Sequence, residues 1–326
     1  MELPAELRQA VEQLLDKLPL ATLKQASRTL SDRYRAEVRD GRLHMGDDIA
    51  ARAYLATRLP ATYAAVRTSL GVLADTQPDF APRTMLDIGA GPGTVLWAAA
   101  DLWPSIDSAT LLEASNAARK VGQTLAANMN TPPQIRWQAG DVNIDLADMP
   151  AADLVTMAYV MDEIAPTSLS RLIERLWQLT ADTLLVVEPG TPAGWRRILD
   201  ARAKLIALGG FVAAPCPHHA PCPLVSPDWC HFSRRVARSR LHRLAKEADV
   251  PWEDEKFIYL AASRTPQTAR HARVLAPPKA GSGKVALKLC QPDGVASERL
   301  LTKRDGEAFK VARRLDWGDA LDLESA

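Results

Sequence analysis

One ten-residue run, Met85-Leu-Asp-Ile-Gly-Ala-Gly-Pro-Gly-Thr94, restricts the fold more than any other part of this chain. An apolar strand here runs into closely spaced glycines and then into a helix. Glycine lets backbone approach a ligand closely, and a helix start offers amides without intrahelical partners. Around the loop, strand-like and helix-like stretches alternate. Strands are expected at Thr84–Gly89, Ala109–Glu113, Gln134–Ala139, Asp153–Tyr159 and Thr183–Glu188, and helices at Thr94–Leu102, Ser115–Asn128, Ser168–Thr180 and Trp195–Leu208. That alternation predicts an α/β fold with a doubly wound parallel sheet, whose ligands sit beyond the carboxyl ends of the strands.

A glycine loop alone does not choose a ligand, because nicotinamide enzymes use a similar one. Thr94 and Val95 follow Gly93, so no complete G-x-G-x-x-G is present. With Asp87 ahead of Gly89, Gly91 and Gly93, the run resembles the D-x-G-x-G-x-G signature of class I methyltransferases that bind S-adenosylmethionine. The resemblance implies that Glu113, ending the next strand, accepts hydrogen bonds from ribose hydroxyls. It also implies that Asp141, after the third strand, reads the adenine amine. After the fourth strand stand Asp162 and Glu163. Either could orient a methyl acceptor, and a carboxylate favoured at a helix N-terminus explains them equally well. The Asn/Asp-Pro-Pro-Tyr motif of base-amine methyltransferases is absent, and no cysteine nucleophile lies in the sheet region.

A second feature is chemically unrelated. Cys216, Cys222 and Cys230 fall in a loop carrying five prolines between Pro215 and Pro227, and the fourth cysteine, Cys290, lies far downstream. Proline removes an amide donor and fixes φ, so this loop is neither helix nor central strand. A stiff thiol-bearing loop suits metal ligation, and the C-x5-C-x7-C spacing is not the paired C-x2-C of zinc ribbons. Four thiolates suit a [4Fe–4S] cluster or an all-thiolate zinc site. His218, His219 and His231 are candidate substitute ligands.

Residues 1–80 read as helices, with apolar stripes at Val11, Leu14, Leu15 and Leu18 and at Ile49, Ala53, Leu55 and Leu59. Lys24, Arg28, Arg33, Arg35, Arg39 and Arg42 decorate a helix expected to end near Gly41. A basic helix is expected over Arg234–Lys246, with Phe232, Val236, Leu241 and Leu244 inward. A late strand follows at Lys256–Ala262. The tail predicts strands at Val285–Cys290 and Glu298–Leu301 and a helix within Lys303–Arg314. Residues 1–215 carry 21 Lys and Arg against 25 Asp and Glu, and residues 216–326 carry 19 against 14. The basic half makes Arg234, Arg235, Arg238, Arg243, Lys303, Arg304, Arg313 and Arg314 candidates for RNA phosphates. No apolar run approaches the length of a membrane span.

The cysteine block with Asp228-Trp-Cys-His-Phe232, His242-Arg243 and Glu253-Asp-Glu-Lys-Phe257 resembles the methyltransferase-like assembly factors of the mitochondrial small ribosomal subunit and their bacterial relatives. Ala53-Tyr54-Leu55, Arg58, Pro60, Tyr63 and Trp317-Gly-Asp319 extend the similarity over most of the chain. The resemblance implies a class I methyltransferase core, a four-cysteine iron–sulfur cluster on Cys216, Cys222, Cys230 and Cys290, and association with the small ribosomal subunit or its RNA. The expected organisation is an N-terminal helical region (1–80), a cofactor domain (81–210), a cysteine loop with basic helix and late strand (211–265), and a C-terminal β extension (266–326). The N-terminus reads as neither a signal nor a transit peptide, which points to a bacterial cytoplasmic protein, monomeric apart from the ribosomal particle and not membrane-bound. A methyltransferase acting on the RNA, a non-catalytic RNA-binding assembly factor that uses cofactor and metal structurally, and a small-molecule methyltransferase with a zinc clip all remain open.

Overall fold

Four helices precede the first strand: α1 (Ala5–Leu15), α2 (Leu20–Arg35), α3 (Asp48–Thr57) and α4 (Leu59–Thr76). The computed structural model describes residues 1–321 except 17, 37–41, 143–145, 147 and 268–269. α1 buries Leu7, Ala10, Val11 and Leu15, and α2 buries Leu23, Ser27 and Leu30, one helical face in each case. Asp47 caps α3 by accepting the Ala50 amide at 2.8 Å. Pro60, which has no amide to donate, sits in the first turn of α4, so one apolar run becomes two helices. Ile49, expected inward, is exposed at the start of α3. α2 ends at Arg35 rather than near Gly41; Arg39 and Gly41 lie outside the described residues.

The central sheet takes up β1 (Thr84–Ile88), α5 (Thr94–Leu102), β2 (Ser108–Glu113), α6 (Asn116–Ala126), β3 (Gln134–Ala139), β4 (Ala152–Ala158), α7 (Pro166–Leu179), β5 (Thr180–Pro189) and α8 (Pro192–Ala207). It continues through β6 (Phe211–Ala214), β7 (Phe232–Ala237), α9 (Arg240–Lys246) and β8 (Trp252–Ser263). The strand order is β3-β2-β1-β4-β5-β8-β6. β1 to β5 are parallel, and β8 is antiparallel to β5, β6 and β7. The order reverses between β1 and β4, which opens a crevice at the carboxyl ends of these strands. This is the expected α/β doubly wound, methyltransferase-type sheet.

One edge of β8 is shared. β5 pairs with Phe257–Ser263 on one side. On the other, β6 meets Ala261–Ser263 and β7 meets Trp252–Phe257. The cysteine loop leaves the sheet between β6 and β7, beside Ile258, Tyr259 and Leu260. The basic helix expected over Arg234–Lys246 is therefore a correction. Phe232–Ala237 completes the exposed edge of β8, because an unpaired strand edge leaves amides and carbonyls unsatisfied. Ser239 then starts the short α9 by accepting the His242 amide at 3.1 Å. α9 buries His242 and Ala245; Leu244 is exposed.

A second sheet contains β9 (Ala272–Val274), β10 (Lys279–Gly281), β11 (Lys284–Cys290), β12 (Ala296–Thr302) and β13 (Ala320–Leu321), with α10 (Gly306–Ala312) against it. Its own core includes Val274, Val285, Leu287, Leu289, Leu301 and Phe309. Among the described residues no helix is long and apolar enough to cross a membrane.

Candidate functional site

The glycine loop lies at the sheet reversal. Gly89, Gly91 and Gly93 all take positive φ, at 68°, 54° and 79°. A Cβ added at Gly89 would stand 2.5 Å from Val160 Cγ2 on the neighbouring β4 crossover. Only glycine meets both the conformational and the steric demand there. The Gly89 and Ala90 amides donate to the Leu112 carbonyl at 2.9 and 3.0 Å, which fixes the loop against β2.

Gly89, Gly91, Glu113 and Asp141 line one pocket of about 220 Å³, together with Glu163 and residues of the N-terminal helices. Glu113 Oε2 accepts the Gly91 amide at 2.8 Å and Oε1 the Ser115 amide at 2.7 Å. Burial pushes this carboxyl up, and the two amides pull it back. Each oxygen keeps a lone pair for a ligand hydroxyl. The cradle and the carboxylate fit an adenosyl group. Gly93 stands outside the pocket lining and starts α5, where a Cβ would press on Trp137 and Leu111.

Asp87 also lies outside the lining. It is 1% exposed, and its Oδ1 accepts the Thr156 hydroxyl at 2.7 Å, tying β1 to β4. Oδ2 has no hydrogen-bond partner among the described residues. Burial raises its pKa from 3.8 to about 7. The folded value exceeds the unfolded one, so the stability this carboxyl contributes is present below about pH 3.8 and lost as pH rises through about 7. Asp87→Asn keeps an acceptor for Thr156 and cannot ionise. Its melting temperature should exceed that of the wild type above about pH 7, with the gap closing toward pH 3.8. A pH series of thermal melts checks this; a constant gap would contradict it.

The structure separates Asp162 and Glu163. Glu163 lines the glycine-loop pocket, where burial and then nearby Asp162 raise it to about 8. His44 Nε2 lies 3.5 Å from Glu163 Oε1. Asp162 instead lines an adjoining cleft with Pro189 and Gly190. Tyr34, Arg58 and Tyr159 line both spaces and form the partition between them. Tyr159 takes φ 59°, a strained backbone for a bulky residue. Its hydroxyl donates to Glu255 Oε1 at 2.9 Å. The Arg58 guanidinium lies 5.6 Å from the Tyr34 ring centre and 5.9 Å from that of Tyr159. Sequence reasoning assigned these residues no role. The usable signal was Arg58, a lone cation inside an otherwise apolar helical run.

The four cysteines form the second centre. All are free thiols, and all line one apolar pocket under the proline-rich loop, three from the loop and Cys290 from the end of β11. Burial pushes Cys216 up and Cys230 well up, and raises Cys290 to about 12. Arg202 Nη2 holds the loop by donating to the His218 and Ala220 carbonyls at 2.6 and 2.9 Å. Arg273 in β9 donates to the Pro215 carbonyl at 3.1 Å, and Lys288 pairs with Asp228. His218 Nε2 lies 3.2 Å from Cys290 Sγ. Two of the three candidate substitute ligands are engaged elsewhere. His219 Nε2 accepts the Val212 amide at 2.9 Å, and His231 stacks on Trp229. Among the described residues no group of three or more His, Cys, Asp or Glu is arranged to hold a single metal ion.

The basic candidates divide. On β7 and just after it, Arg235 pairs with Asp254 and Arg238 with Glu253, while Arg234 is exposed and Arg243 half-buried in α9. Lys303, Arg304, Arg313 and Arg314 are exposed on the small sheet unit.

A family model described as mitochondrial small ribosomal subunit Rsm22 matches residues 48–322. The human mitochondrial ribosome assembly protein METTL17 is 30% identical over 289 residues, covering 83% of this chain and 62% of that protein. The mitochondrial Rsm22-cox11 tandem protein 2 of Schizosaccharomyces pombe is 22% identical over 326 residues, covering 83% of this chain and 43% of its own length. The chain thus spans between two fifths and two thirds of these curated relatives. Among solved structures, an O-methyltransferase family protein from Burkholderia thailandensis aligns with a TM-score of 0.46 at 14% identity, over 76% of this chain and 72% of that one.

Proposed function

The chain belongs to the mitochondrial small ribosomal subunit Rsm22 family, and from that premise we propose that it binds S-adenosylmethionine and acts, as a methyltransferase-like factor, on the assembling small ribosomal subunit or its RNA. The observation that carries the cofactor reading is the junction of Gly89, Gly91 and Glu113 in one pocket at the sheet reversal. There the loop amides and the Glu113 carboxylate would hold the adenosyl group, with Asp141 at the rim. The bound cofactor supplies an electrophilic methyl group. Transfer from a sulfonium depends mainly on in-line placement of the acceptor.

The four cysteines are assigned to a [4Fe–4S] cluster. Four thiols with no carboxylate in the lining form a soft donor set that suits iron–sulfur or zinc. A single zinc ion holds sulfur at about 2.3 Å and needs its ligands to converge on one point. Three thiols from the loop and one from β11 supply the four sulfur ligands that a [4Fe–4S] cluster takes. Once bound, it would clasp the proline-rich loop to the small sheet.

A second reading rests on the Tyr34–Arg58–Tyr159 partition between cofactor pocket and acceptor-side cleft. A factor that uses its cofactor structurally has no need of an open path between them. Incubating the anaerobically purified protein with radiolabelled S-adenosylmethionine and immature small subunits separates the two. Label in RNA that disappears with Glu113→Ala supports the enzyme. Bound cofactor with no label transferred supports the assembly factor. No cofactor binding at all would overturn both.

A further inference from the structure

The cleft beyond the partition encloses about 820 Å³, against about 220 Å³ for the cofactor pocket. It lies at the carboxyl ends of β4 and β5, where Asp162, Pro189 and Gly190 reach it. Arg28 and Arg35 line it from α2, and Arg238, Lys246 and Lys256 line it from the β7–α9–β8 side. Arg58 stands at the shared wall. Three acids, Asp162, Asp254 and Glu255, also face the space.

The surrounding ion pairs do not cancel this charge. Glu247 is shared by Lys24 and Arg28, and Glu253 by Arg238 and Lys246, so in each case one carboxylate meets two cations. Arg35 is 76% exposed and, among the described residues, pairs with Asp32 of its own helix, and Lys256 is exposed. Cations thus stand on two facing walls, and Tyr34, Tyr159 and the Arg58 guanidinium present planar groups where the cleft meets the cofactor pocket. Backbone phosphates against basic walls and a base against planar groups is how single-stranded nucleic acid is held.

We propose that this cleft between α2 and the β7–α9–β8 unit binds a single-stranded RNA segment and seats one of its nucleotides against the Tyr34–Arg58–Tyr159 partition. The inference rests on the reading that the protein acts on small-subunit RNA, and it names the surface that makes the contact. It gives the acceptor-side role to Arg35 and Lys256, not to the small-sheet cations Lys303, Arg304, Arg313 and Arg314. Both residues are exposed, so reversing their charge leaves the core intact.

The test measures binding of a fluorescein-labelled single-stranded RNA oligonucleotide of mixed sequence, and of immature small subunits, across a salt series. Wild-type protein should bind the oligonucleotide with an affinity that falls with salt. Arg35→Glu combined with Lys256→Glu should weaken binding at least about tenfold and flatten the logarithmic salt slope by about 0.7 for each phosphate no longer neutralised. The melting temperature should stay unchanged. Lys303→Glu with Arg304→Glu should have a smaller effect. The cleft is wrong, and the functional reading survives, if the wild type binds subunits while the cleft variant keeps full affinity and slope. A larger loss from the small-sheet pair also overturns it. Adenosine monophosphate binding as tightly as the oligonucleotide would replace the strand with a small molecule. Wild-type protein that binds neither RNA nor subunits removes the functional reading and the cleft with it.

Discussion

Replacing Cys290 with serine should strip iron from anaerobically purified protein and free the small sheet for proteolysis. Cys290 is the only one of the four thiols contributed by that sheet, and it is 6% exposed at the end of β11. A serine hydroxyl is a poor ligand for a soft metal site. The other links between sheet unit and loop include two polar ones, Arg273 to the Pro215 carbonyl and Lys288 to Asp228, and the edge-on packing of Trp317 on His231. Losing a native covalent cross-link of comparable reach typically costs about 2–5 kcal/mol. At about 2–4 °C per kcal/mol for larger domains, the melting temperature should drop by roughly 4–20 °C. Iron and sulfide assays, a thermal melt and limited proteolysis read the result together. Unchanged metal content, melting and cleavage would remove the clasp. Stoichiometric zinc without iron in the wild type would keep the clasp and replace the cluster.

Glu113→Ala should lower the affinity for S-adenosylmethionine by at least about 100-fold. Its two oxygens accept the Gly91 and Ser115 amides, so truncation releases both the glycine loop and the start of α6. Those amide bonds exist in the free protein too, so the affinity is lost through the ligand. Hydrogen bonds from two of its hydroxyls to the charged carboxylate, at about 1.5–3 kcal/mol each, together exceed the roughly 2.7 kcal/mol that corresponds to 100-fold. Glu113→Gln keeps the shape and part of the acceptor set, and should fall between. Calorimetric titration with S-adenosylmethionine and S-adenosylhomocysteine measures it. An affinity within about twofold of wild type would show that this carboxylate does not hold the cofactor.

The core of the fold was legible because β1, β2, β4 and β5 are continuous apolar runs separated by helical periods. Gly89 was legible for the same local reason: its neighbours require a turn that a side chain would block. What escaped was set by pairing between distant segments. Phe232–Ala237 carries enough Arg to read as a basic helix, yet the free edge of β8 draws it into the sheet. The partition escaped too. Arg58, Tyr159 and Glu255 come from the α3–α4 junction, the end of β4 and a strand nearly a hundred residues later, and no spacing rule links them. The roles of His219 and His231 depended on a backbone amide and an indole whose positions the sequence does not give. Cys290 was reachable through composition, since only four cysteines exist and three already shared a loop.

The claim that joins these observations is that this chain engages the small ribosomal subunit during its assembly. Sucrose-gradient cosedimentation of the cofactor-loaded protein with immature small subunits tests it most directly. The protein should migrate with the immature particle, and raising the salt should release it. Protein that stays at the top of the gradient at low salt, with its cofactor bound and its metal content intact, would contradict the account.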